Sequence, residues 1–252
     1  MTDSNLYVGD SHNVLFDLID KNVKVDLIIT DPPFIISNSF NLPNNKIENT
    51  YSGYKNYKGD WDISVPNHAM WIDACWQLLK PGGIFCIFGV MGNLSTYYDN
   101  VLRRYKERYS DMIWQSSIVW EKSNPAPSLF RRMYTNANEF IMVISKGKGW
   151  TFNYEIAKQF NDGKQLKNVW KCAAVRRVME RTRKPYGIVT RLTQVLSNPG
   201  DLLLDPFCGT GSILETAIKD GRNCIGIDDE EQVVLYAKEQ LTNLGSKVSL
   251  FY

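Results

Sequence analysis

No apolar run in this chain approaches the roughly 18–20 residues needed to span a bilayer. The longest, Ile84 to Val90, is strand-sized. The start, Met1-Thr-Asp-Ser-Asn, has neither the basic flank nor the apolar stretch of a secretion signal, so a cytoplasmic protein without membrane contact is expected. Histidine is nearly missing, confined to His12 and His68, and the five cysteines (Cys75, Cys86, Cys172, Cys208, Cys224) form no C-x-x-C pair. That argues against a structural zinc site, and scattered cysteines in odd number fit a reducing compartment. Neither disulfides nor a metal are expected. Net charge is scarce too: 29 basic against 27 acidic residues leave +2, too little to announce a polyanionic partner by itself. There is no internal repeat and no low-complexity tract. With 44% hydrophobic and 22% charged residues, wholesale disorder and collagen-like structure are excluded.

What is present is a series of short apolar, β-branched runs: Leu6 to Val8, Val25 to Thr30, Ile84 to Phe88, Ile113 to Trp120, Phe140 to Ile144, Leu202 to Leu204 and Cys224 to Ile227. Several are continuously apolar rather than alternating, as in strands buried on both faces of a parallel sheet. Between them lie helical stretches, Ala69 to Leu79 (stopped by Lys80-Pro-Gly-Gly), Tyr186 to Leu196, Ser212 to Lys219 and Glu230 to Leu241. Strands alternating with helices predict an α/β sandwich, a mostly parallel twisted sheet with helices on both faces. Two stretches resist this reading. Asn38 to Asp60 is rich in Asn, Tyr, Lys and Gly, and Lys146 to Arg183 is polar, basic and aromatic. Both read as insertions in one domain spanning 1–252. Charge is uneven: Lys171 to Lys184 holds six basic residues and one acid, and Arg103, Arg104, Lys106 and Arg108 form a second cluster. Either cluster is a solvated face or a partner surface.

Two motifs carry chemistry. In Val25-Asp-Leu-Ile-Ile-Thr-Asp31-Pro32-Pro33-Phe34 an apolar strand ends in a polar tetrapeptide. Ligands of open α/β sheets bind beyond the carboxyl ends of strands, which is where Asp31 would stand. Two prolines remove two N–H donors and stiffen the chain, leaving carbonyl acceptors only. A carboxylate beside a rigid carbonyl suits a substrate group with two N–H donors, such as an exocyclic amine, and Phe34 could stack on a planar base. A strand followed by a Pro-Pro turn, with Asp31 as a cap, is the plainer alternative.

The second motif is Asp205-Pro206-Phe207-Cys208-Gly209-Thr210-Gly211-Ser212, followed by Cys224-Ile-Gly-Ile-Asp228. This is strand, glycine turn, helix and strand, with an acid about 20 positions after the glycines. Glycines let backbone approach a ligand, and an acid ending the next strand suits ribose hydroxyls. Leu214 stands where a dinucleotide fingerprint needs its third glycine. A nucleoside cofactor without a pyrophosphate fits better than NAD.

Together, Asp31-Pro-Pro-Phe34 and Asp205-Pro-Phe-Cys-Gly-Thr-Gly211 resemble the catalytic tetrapeptide and cofactor loop of the amino-methylating DNA methyltransferases. Catalytic motif first and cofactor motif last is similar to their permuted β class. The resemblance implies a Rossmann-like methyltransferase fold, with a catalytic half at 1–145, a DNA-recognition insertion at 146–183 and a cofactor half at 184–252. It also implies methyl transfer from S-adenosylmethionine, without a metal, to the N6 amine of a flipped adenine. Asp31, Pro32, Pro33 and Phe34 would be catalytic. Asp205, Phe207, Cys208, Gly209, Thr210, Gly211 and Ser212 would hold the cofactor, with Asp228 on its ribose, Asp10 near its adenine, and Lys184 from a Lys-Pro element. Asp10 reads equally well as a helix N-cap before Val14. Arg176, Arg177, Arg181 and Arg183 would contact DNA phosphates. A homodimer or a paired restriction endonuclease fits the family habit. N4-cytosine or RNA amino-methylation, and a catalytically silent nucleic-acid-binding partner, are the alternatives.

Overall fold

A computed structural model describes residues 2–33, 68–90, 109–127, 132 and 134–252. In chain order the elements are β1 (Asp3–Val8), α1 (Ser11–Asp20), β2 (Val25–Thr30), α2 (His68–Leu78), β3 (Leu79–Gly89), β4 (Met112–Lys122), β5 (Asn138–Lys146), α3 (Tyr154–Gln159), β6 (Val169–Cys172), α4 (Tyr186–Leu196), β7 (Leu202–Asp205), α5 (Ser212–Lys219), β8 (Asn223–Asp228), α6 (Glu231–Asn243) and β9 (Lys247–Phe251). Phe34, the Asn38 to Asp60 loop and the Arg103 to Arg108 cluster lie outside the described residues. No described helix is long and apolar enough to cross a membrane.

The strands form one sheet in the order β6-β4-β5-β3-β2-β7-β8-β1-β9. All pairings are parallel except those of β5, which runs against both β3 and β4. Two apolar layers explain the continuous apolar runs. Ile84, Cys86 and Phe88 of β3 join Leu27 and Ile29 of β2 in a core with Ile188, Leu192, Leu214, Val234 and Ala237 of α4, α5 and α6. Phe85 and Ile87 join Ile28, Ile225 and Ile227 in a second core with Leu15 and Leu18 of α1 and Trp71 and Trp76 of α2. A strand that feeds two cores cannot alternate apolar with polar. This is the expected α/β sandwich, a mostly parallel sheet with helices on both faces.

Helix ends follow from the same packing. The Lys146 ammonium at the end of β5 donates to the carbonyls of Trp76 and Leu79 at 2.6 and 2.9 Å, a cation closing the C-terminus of α2. Leu79 then pairs with Val25 and Ile84 with Leu27, so the register shifts across Lys80-Pro-Gly-Gly. The expected stop is real, but the strand starts within it. The expected insertion at Lys146 to Arg183 is in part scaffold. Its β6 pairs with β4, and Ala157 of α3 and Trp170 of β6 are core residues.

The path of the chain locates the crevice. From β2 it proceeds to β3 on one side, and from β7 to β8 on the other. The adjacent carboxyl ends of β2 and β7 are therefore the switch point at which such sheets bind ligands.

Candidate active site

Both chemical motifs meet there. Asp31 follows β2, Asp205 ends β7, and the Thr30 hydroxyl donates to Asp205 Oδ1 at 2.9 Å. Asp205 Oδ1 also accepts from the Phe207 N–H at 3.2 Å, while its Oδ2 is buried with no hydrogen-bond partner among the described residues.

The loop between β7 and α5 is braced from four sides. The Ser11 hydroxyl at the start of α1 donates to the Pro206 carbonyl at 2.6 Å. Trp71 of α2 meets the Phe207 ring edge-on, centroids 5.3 Å apart. The Gly209 N–H donates to Asp228 Oδ2 at 3.0 Å, and the Lys184 N–H to Ser212 Oγ at 3.1 Å. Thr210 and Cys208 are buried, and burial pushes the Cys208 thiol up. The two loop glycines have different reasons to be glycine. Gly211 has φ +80°, and a Cβ there would stand 2.9 Å from Ala237 Cβ, so α5 packs tightly on α6. Gly209 has φ +49°, and a Cβ would meet nothing within 4 Å.

Asp31 is the first member of a chain of charges in which Lys184 is buried and Asp31, Glu139 and Lys122 are partly so. Its Oδ2 takes the Lys184 ammonium, and its Oδ1 is buried without a hydrogen-bond partner among the described residues. Lys184 Nζ is also 3.2 Å from Glu139 Oε2 and lies over the Phe88 ring. Glu139 Oε1 in turn holds Lys122 Nζ at 2.7 Å. Four elements contribute: the loop after β2, the segment before α4, the second residue of β5 and the last residue of β4. Because β5 is reversed, its beginning reaches the same edge at which β2 and β4 end. Burial pushes the Asp31 carboxyl up, and Lys184 opposes that. Burial would likewise raise Glu139, but Lys184 and Lys122 together hold it below its usual range. Lys184, which burial would discharge, stays charged between its two carboxylates.

Of the expected site residues, the structure gathers Asp31, Pro32, Pro33 and the 205–212 loop at one edge, with Asp228 beside Gly209. Asp10 caps α1, its carboxylate accepting from the Asn13 N–H at 3.1 Å. Lys184 touches the cofactor loop through its main chain and Asp31 through its side chain. Arg176 and Arg177 are exposed. Arg181 and Arg183 are paired with acids of the cofactor half, Arg181 with Glu230 and Arg183 with Glu215, each at 2.6 Å. Sequence reasoning did not assign a role to Glu139, Lys122, Thr30 or Ser11. The available signal was a charged residue at the end of an otherwise apolar run, which marks both Glu139 and Lys122.

Burial pushes the Asp205 carboxyl up to about 7, although the Phe207 N–H and the Thr30 hydroxyl favour its charged form. A carboxyl with a folded pKa above its unfolded one binds more protons folded than unfolded between the two values. Its contribution is favourable at low pH and is lost as pH rises toward 7. Asp205→Asn, which keeps an oxygen for both donors, should therefore gain thermal stability relative to the unsubstituted protein as pH rises from 5 to 8. Parallel melting curves across that range would contradict the assignment.

Comparison with known proteins adds the following. A family model described as DNA methylase matches residues 25–239. The chain is 32% identical over 236 residues to the Type II methyltransferase M2.DpnII of Streptococcus pneumoniae, covering 88% of this chain and 84% of that one. It is 32% identical over 256 residues to the Type II methyltransferase M2.LlaDCHI of Lactococcus lactis subsp. cremoris, covering 95% and 90%. Among solved structures, the M1.HpyAVI–SAM complex superposes with a TM-score of 0.68 at 25% identity, covering 94% of this chain and 98% of that one.

Proposed function

The chain belongs to the DNA methylase family of S-adenosylmethionine-dependent amino-methyltransferases, and from that premise we propose that its target is the N6 amine of adenine in DNA. The observation that carries this reading is the buried oxygen of Asp31 at the switch point, which, like an oxygen of Asp205, has no hydrogen-bond partner among the described residues. An acid at position 31 favours adenine over cytosine, by the resemblance already described.

The residues present fit the cofactor. A buried carboxylate oxygen at Asp205 without a donor among the described residues suits a cationic ligand, and the space those residues leave at Gly209 gives room for one against the backbone. We assign its binding to Asp205, Phe207, Gly209 and Gly211, with Asp228 toward the ribose. When bound, S-adenosylmethionine supplies a methyl group made electrophilic by its positively charged sulfur.

The chain's own residues act on the amine. Its nitrogen is a weak nucleophile because the lone pair is delocalised into the ring. Asp31 Oδ1 accepts one amine hydrogen and the Pro32 carbonyl the other, which favours a pyramidal nitrogen with a directed lone pair. Positive charge develops on that nitrogen as it gains a methyl group, and the Asp31 carboxylate stabilises it until the nitrogen, now strongly acidic, releases a proton to solvent. This is positioning and electrostatics, with no covalent enzyme intermediate. A base inside a duplex must be flipped out to reach Asp31, at a cost of about a few kcal/mol.

We assign phosphate contacts to the exposed Arg176 and Arg177. Replacing both with Ala should reduce the slope of log affinity against log salt by about 0.9 per lost contact. An unaltered slope removes both from the interface. The relatives' names as Type II methyltransferases support a place in a restriction–modification pair.

The test is methyl transfer to unmethylated duplex DNA, followed by nuclease digestion and mass spectrometry of the nucleosides. N6-methyladenine is expected. N4-methylcytosine would keep the mechanism and overturn the base assignment.

A further inference from the structure

The charge chain behind Asp31 has no role in the mechanism above, yet four ionised groups are gathered in a poorly hydrated place at considerable cost. They alternate in sign, Asp31, Lys184, Glu139, Lys122, and sum to zero. The arrangement answers a conflict at Asp31. Without a cation nearby, a carboxyl so enclosed would take up a proton and lose its ability to accept the amine hydrogen. A lysine devoted to it alone would withdraw electron density and weaken it as an acceptor.

We propose that Glu139 is a positioning residue for methyl transfer: Lys184 keeps Asp31 charged, and Glu139, by sharing that ammonium, leaves Asp31 a strong acceptor. Lys122 completes the device by compensating Glu139. Lys184 takes one oxygen of Asp31, and the other, without a hydrogen-bond partner among the described residues, is left to the amine. The inference rests on the assignment of Asp31 as the amine acceptor.

The device makes a prediction that a merely structural role does not. Removing the negative charge of Glu139 favours ionised Asp31, and removing the positive charge of Lys122 disfavours it. In single-turnover methyl transfer followed from pH 5 to 9, the acid limb for Glu139→Gln should move to lower pH. For Lys122→Met it should move to higher pH, each by about one unit. The double variant restores neutrality, and its acid limb should return toward that of the unsubstituted enzyme. The plateau rate of Glu139→Gln should fall about tenfold, with KM for DNA changed by less than about threefold, as expected when an interaction of the transition state is lost.

Among the described residues, Asp205 and Asp228 also ionise at this edge. Asp205 takes charge interactions from Asp31 and Asp228, and Asp228 from Arg181 and Asp229. An acid limb belonging to Asp205 or Asp228 would move much less than one belonging to Asp31, which interacts directly with both Glu139 and Lys122. Superimposable profiles, or single-variant shifts in the same direction, therefore overturn the proposal. The double variant also guards against misfolding of a single one, because it buries no uncompensated charge. Asp31→Asn run alongside separates the role of Asp31 from that of Glu139. Residual turnover near the unsubstituted rate overturns the role of Asp31 itself, whereas an inactive Asp31→Asn with immobile limbs overturns only the role of Glu139.

Discussion

Asp31→Ala is expected to lower methyl transfer by about 10³-fold or more, the scale seen when a preorganised electrostatic partner of the transition state is deleted, and to leave S-adenosylmethionine affinity within a few fold. The carboxylate is the only side chain of the Asp31-Pro-Pro segment that can accept an amine hydrogen. Both prolines lack N–H groups, and their rings offer no acceptor. The loss should appear in the rate of transfer rather than in cofactor binding, because Asp205 and the 205–212 loop are held by Thr30, Ser11 and Trp71, and Lys184, the partner of Asp31, holds the loop through its main chain. Alanine also strands Lys184 against Glu139, and breaking a buried pair costs about 3–5 kcal/mol. Asp31→Asn is the necessary companion, since it keeps the shape and removes the charge. Labelled-methyl transfer and calorimetric cofactor titration on both variants check the expectation. Near-normal turnover in either variant would move the catalytic centre elsewhere.

Gly209→Val should weaken cofactor binding about 100-fold, equivalent to about 2.7 kcal/mol, by two additive routes. A β-branched residue is an outlier at positive φ, so the loop must change conformation or bear strain. The added side chain also enters the open space beside the loop, the space assigned to the ligand. Gly211→Val is the informative contrast. There the added atoms press on Ala237 of α6, so the first loss should be thermal stability, with cofactor affinity falling as a consequence. Measuring cofactor affinity and melting temperature for both variants separates the roles. Equal affinity for Gly209→Val and the unsubstituted protein would show that the cofactor lies elsewhere.

Much of this was legible in the chain. Tyr186–Leu196 and Ser212–Lys219 form helices with the bounds read from their apolar spacing and their stops, because helix ends depend on local chemistry. β2, β3 and β8 read as buried strands because they supply side chains to two cores. α1 was harder: it was visible only as a cap at Asp10, and its apolar face is short. α3 and β6 were hidden in a stretch whose polar and basic composition resembles a surface insertion. β9, at the end of the chain, has no fully buried residue to announce it.

The sequence by itself determined the chemistry: an acid and two prolines at the end of one apolar strand, and an acid with a glycine loop at the end of another. Those signals are local, so a few residues carry each. Tertiary structure decided which charges meet. The direction of β5 is not encoded in any periodicity, and only its reversal carries Glu139 to the edge where Asp31 stands. Only the folded chain delivers Lys184 to that carboxylate rather than to solvent, and sets Arg181 and Arg183 against Glu230 and Glu215. Such pairs form because a buried charge needs an opposite one. Which opposite charge lies within reach is a property of the packed sheet, not of the neighbouring residues in the chain.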